Sequence, residues 1–68
     1  MENIISKRIF ELRKEKNISQ SRLAKEIGVT QKAIDFWEQA INEPKASYII
    51  ALAKYFHVSS DYLLGLED

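Results

Sequence analysis

The sequence predicts an all-α, five-helix bundle, and three observations lead there. Apolar residues recur at helical spacing, as at Ile5, Ile9 and Leu12. Residues that start and stop helices punctuate the chain at short intervals. The 68 residues hold only two glycines, Gly28 and Gly65, and one proline, Pro44, too few for a turn-dense β-fold or a glycine-rich phosphate loop. A chain of this length is expected to form one domain, residues 1–68, with a thin core.

Each element has a local reason. Ile5, Ile9 and Leu12 mark one face of a first helix from about Asn3 to Lys16, and Asn17 tolerates the left-handed conformation of a helix stop. Ser19 is the expected N-cap of a second helix, Gln20 to about Glu26, with Leu23 and Ile27 inward and Gly28 ending it. Val29 then points to the core, and Thr30 caps a third helix from Gln31 to about Gln39 that buries Ile34 and Trp37. Residues 40–45 form a loop around Pro44. Ala46 to Phe56 reads as the fourth helix, with Ile49, Leu52, Ala53 and Phe56 inward and His57 as its C-terminal cap. Ser59 caps a short fifth helix that carries Asp61 in its first turn and ends at Leu63 and Leu64, before Gly65. Tyr48 and Tyr55 fall on one face of the fourth helix, at the edge of the core.

Composition excludes several classes of function. No cysteine is present, so there is no disulfide framework and no thiolate chemistry. The single histidine, His57, supplies neither a metal cluster nor a catalytic base with a nucleophile beside it, so no enzyme, metal or cofactor is expected. No apolar run reaches the ~18 residues of a membrane span, and the sequence opens without a secretory pattern, so a cytoplasmic protein is expected. Ten basic and ten acidic residues cancel. The basic ones gather early, five against three acidic residues before Ser19.

Only Gly28, Val29 and Thr30 separate the second and third helices, so the two must cross steeply, as in a helix-turn-helix unit over about residues 20–39. The stretch QSRLAKEIGVTQKAIDFWEQ, starting at Gln20, fits that unit sterically. Ala24 is small where the third helix crosses the second, Gly28 takes the positive φ of the turn, and Leu23, Ile27, Val29, Ile34 and Trp37 form the apolar wedge.

At these residues the chain resembles the helix-turn-helix family of phage lambda-type repressors and Cro proteins, the XRE family of bacterial regulators. The resemblance extends through RIFELRKEKNISQ before the motif and WEQAINEP, LAKYF and VSSDYLLG after it. It implies a lambda-repressor-like bundle whose third helix lies in the major groove of double-stranded DNA. By position, Gln31, Lys32, Asp35 and Phe36 then face base edges. Gln suits adenine N6 and N7, Lys suits guanine O6 and N7, and Phe suits a thymine methyl. Asp35 either accepts from a cytosine amine or repels phosphate. Gln20, Thr30 and Gln39 match phosphate-contact positions. Arg13 and Glu38 match a structural ion pair between the first and third helices. The resemblance also implies a homodimer on a pseudo-palindromic operator, with repression as its mode and Val58, Tyr62 and Leu63 as the dimer surface. No small-molecule ligand is expected.

The loop after the third helix departs from the family pattern of a glycine followed by basic residues, having Ala40, Ile41, Asn42 and Glu43 instead. An antitoxin or protein-interaction module with weak or absent DNA binding therefore stands as the alternative.

Overall fold

The computed structural model describes residues 3–68; the first two residues of the expected domain, Met1 and Glu2, lie outside them. Five helices follow in order: α1 (Ile4–Glu15), α2 (Gln20–Ile27), α3 (Gln31–Glu38), α4 (Ala46–Phe56) and α5 (Ser60–Leu64). No strand occurs among the described residues. Helix α1 packs on α3 and α5, while α4 packs on α2 and α5. The core runs through all five, with Ile9, Leu23, Ile34, Leu52 and Leu63 fully buried and Trp37 and Ile49 nearly so. Ile27, Val29 and Phe56 lie partly exposed against this core rather than inside it.

The helices begin on side-chain caps. Ser19, Thr30 and Ser59 accept from the backbone N–H of Arg22, Ala33 and Tyr62, respectively, as short N-cap hydroxyls do. Helix α1 starts on a reciprocal pair. Asn3 Oδ1 accepts from the Ser6 backbone N–H and Ser6 Oγ accepts from the Asn3 N–H, both at 2.8 Å. Lys45 caps α4 without a side-chain bond.

All five helices end alike. One residue past α2, α4 and α5, and two past α1 and α3, Asn17, Gly28, Ala40, His57 and Gly65 take positive φ between 58° and 84°. The residue after each donates its N–H five residues back: Ile18 to Arg13, Val29 to Ala24, Ile41 to Phe36, Val58 to Ala53 and Leu66 to Asp61. That closure satisfies carbonyls the helix would otherwise leave bare, and it places an apolar residue after the turn. Ile18, Val29 and Val58 use that placement to pack on the core, whereas Ile41 is 58% exposed.

Glycine fills only two of these five positions. At Gly28 a Cβ would meet nothing within 4 Å, so the turn between α2 and α3 needs glycine for its backbone angle and not for space. Ala40 holds the same kind of angle, φ 59°, with a Cβ that disfavours it. Ala40→Gly is expected to stabilise the fold by roughly 0.5–1 kcal/mol, relief of strain exceeding the extra freedom of the unfolded chain. A thermal melt should show a rise of several degrees.

Candidate nucleic-acid interface

A bidentate ion pair fixes the end of α3. Arg13 Nε donates to Glu38 Oε2 at 2.7 Å and Arg13 Nη2 to Glu38 Oε1 at 3.0 Å, with side chains only 10% and 5% exposed. Arg13 Nη1 also donates to the Ile18 carbonyl at 2.9 Å. The hydrogen bonds to Glu38 hold the guanidinium pKa above its ordinary value against the opposing effect of burial. No buried side-chain polar atom among the described residues lacks a partner.

With α3 held there, its outward face carries the expected reading residues. Gln31 and Lys32 are exposed at its first turn, while Asp35 and Phe36 are half-buried one turn later. Lys32 Nζ lies 5.5 Å from the Phe36 ring centroid, over its ring. Lys32 is the only cation in α3. Arg22 on α2 is committed to Glu26 at 3.0 Å, an exposed pair of small energetic weight. Thr30 Oγ1 accepts from Ala33 N–H at 3.1 Å, which leaves its own proton to donate.

The glutamines at the expected phosphate positions meet carboxylates instead. Gln20 Nε2 donates to Asp35 Oδ1 at 3.2 Å and to Glu38 Oε1 at 3.1 Å. Gln39 Nε2 donates to Asp35 Oδ2 at 2.7 Å. Spacing alone exposes half of this arrangement, since Asp35 and Gln39 stand four residues apart on one helix. The bridge from Gln20 depends on how α2 meets α3 and had no sequence signal.

Of the expected dimer residues, Val58 and Tyr62 are half-buried, and Arg8 lies over the Tyr62 ring at 4.1 Å while donating to the Tyr62 carbonyl. Leu63 needs correction. It is 0% exposed and belongs to the core, so its side chain offers no surface; its neighbour Leu64, on the outer side of α5, is 41% exposed. Among the described residues no cluster of three His, Asp or Glu side chains is placed to hold a metal, and no helix is long and apolar enough to cross a membrane.

Two measurements follow from this geometry. Arg13→Met or Glu38→Leu is expected to cost about 3 kcal/mol by stranding the other charge, with the double variant recovering part of it in a thermal melt. Hydrogen bonds from Gln39 and then Gln20 hold the Asp35 carboxyl below the ordinary 3.8. Their stabilising effect is therefore present above that value and disappears as pH falls through the lowered pKa. Carboxyl NMR should place the Asp35 midpoint below 3.8, and Gln39→Ala should raise it.

Comparison with known proteins agrees with this architecture. Residues 9–63 match the helix-turn-helix family. Repressor protein C2 of Salmonella phage P22 is 39% identical over 61 residues, covering 90% of this chain and 28% of the repressor. The HTH-type transcriptional regulator YobD of Bacillus subtilis, itself uncharacterized, is 33% identical over 61 residues, covering 90% of this chain and 54% of YobD. The chain thus spans about half or less of these relatives' length. A crystal structure of the P22 c2 repressor in complex with synthetic operator 9T, in the presence of Tl+, superimposes with a TM-score of 0.85 at 37% identity, over 91% of this chain and 94% of that one. Five helices in this order, a three-residue turn between α2 and α3, and these likenesses place the chain in the lambda-repressor-type (XRE) helix-turn-helix family.

Proposed function

We propose that the chain is a sequence-specific DNA-binding transcriptional regulator that represses as a homodimer on a pseudo-palindromic operator. The observation that carries this reading is the exposed pair Gln31 and Lys32 on the first turn of α3, a helix whose seat against α1 and α2 is set by a buried ion pair. A rigid helix that presents an amide and an ammonium at its leading end suits major-groove readout. The P22 relative solved on an operator supports the same docking.

In this reading Gln31 pairs with adenine N6 and N7 and Lys32 with guanine O6 and N7, while Phe36 lies against a thymine methyl and Asp35 faces a cytosine amine. Thr30, Gln20 and Gln39 face phosphates. Dimers form across the α5 side through Val58, Tyr62 and the exposed Leu64, in a monomer–dimer equilibrium, since so short a helix gives a small patch. The protein acts in the cytoplasm, and no cofactor or small-molecule ligand is required. A protein-interaction module is the second reading, favoured by the exposed Ile41 and Glu43 where basic residues would serve DNA better.

Binding-site selection from random duplexes tests the proposal. Gln31→Ala is expected to cost ~1–3 kcal/mol at one base pair per half-site and to relax preference there. The same motif selected by Gln31→Ala and the unaltered protein favours the interaction module. The salt dependence of operator binding should be shallow, roughly two to four units per dimer in log Kd against log salt, because few cations face the groove.

A further inference from the structure

Asp35 gathers the donors that a phosphate would need. Gln39 Nε2 gives one proton to Asp35 Oδ2, and Gln20 Nε2 gives one to Asp35 Oδ1. Gln20's other amide proton goes to Glu38 Oε1. An amide nitrogen carries two protons, so the Gln20 side chain keeps none for DNA. Glu38 is not comparable to Asp35, because both its oxygens already face Arg13 in a nearly buried pair. Asp35 stands on the reading face, within the same stretch of helix as Lys32, yet Lys32 lies over Phe36, and no salt bridge joins it to Asp35. Among the described residues the charge on Asp35 is therefore answered by two amides and by no cation. A carboxylate and a phosphodiester present those amides with the same chemistry, two anionic oxygens a short distance apart.

We propose that Asp35 is a positioning residue that serves as an internal stand-in for a DNA phosphate, holding one amide proton of each of Gln20 and Gln39 in the free protein and so lowering affinity for duplexes of arbitrary sequence. This inference rests on the DNA-binding reading above. Release of both glutamines requires another donor for the carboxylate, and a cytosine N4 amine in the major groove supplies one. The phosphate contacts of the two glutamines, which carry no base information, thereby become conditional on a base. Specificity grows because the wrong duplex is penalised.

The test measures Kd for a mixed-sequence duplex at fixed low salt. The four proteins are the unaltered chain, Asp35→Ala, the pair Gln20→Ala with Gln39→Ala, and all three substitutions together, each checked for folding by a thermal melt. Asp35→Ala is expected to tighten binding roughly tenfold. In the background lacking both glutamines the same substitution should change Kd by less than about twofold. Asp35→Asn, close to aspartate in shape and without its charge, should give an intermediate gain and serves in place of Asp35→Ala if that variant does not fold. An equal gain with and without the glutamines means plain charge repulsion and overturns the proposal, as does no gain at all. Duplex binding by none of the proteins, at any salt tried, overturns the DNA-binding reading and this proposal with it.

Discussion

The Arg13–Glu38 pair is the constraint on which the interface depends. One guanidinium reaches three structural parts: the last turn of α1 that bears it, the Ile18 carbonyl between α1 and α2, and the C-terminal turn of α3. Glu38 extends the set to the start of α2 through Gln20. Apolar packing of Ile34 and Trp37 holds α3 against the bundle but tolerates small rotations; directional bonds to a planar fork do not. Such a pair is weak evidence for stability in itself, since a well-packed apolar substitute often does as well. Its contribution here is to fix which residues of α3 face outward.

Most of the scaffold was legible because its signals are local. A hydroxyl three residues ahead of an orphan N–H makes an N-cap wherever it occurs, so Ser19, Thr30 and Ser59 marked three helix starts. Asn17, Gly28 and Gly65 marked ends because they accept positive φ readily. What stayed hidden was either too short to show a period or dependent on tertiary approach. The five residues of α5 make little more than one turn, so periodicity alone does not decide between Leu63, which is buried, and Leu64, which is exposed. Ala40 carries no sign of its left-handed backbone. The outward position of Gln31 and Lys32 on α3 was legible, but the bonds that Gln20 makes to Asp35 and Glu38 were not, because they exist only once α2 and α3 have crossed.

Charge gives the interface its character. A net formal charge of zero leaves little long-range attraction for a polyanion. Amides and hydroxyls act only at contact, with donors that must be aimed. Rigid placement therefore matters more here than in a protein that relies on a field of lysines, and the repeated helix closures and the buried pair supply it.

The single tryptophan lies on the far side of this helix. Trp37 is 5% exposed and stacks obliquely on Tyr48, ring centroids 5.6 Å apart, nearly opposite Gln31 and Lys32 around the α3 axis. Its indole emission is thus an unlabelled optical gauge of whether the bundle is assembled. Loss of packing around α3 brings water to the ring and shifts the spectrum to the red. A molecule laid along the outer face leaves the indole environment nearly unchanged. The fluorophore nature placed in this helix reports its seat and is blind to what it touches.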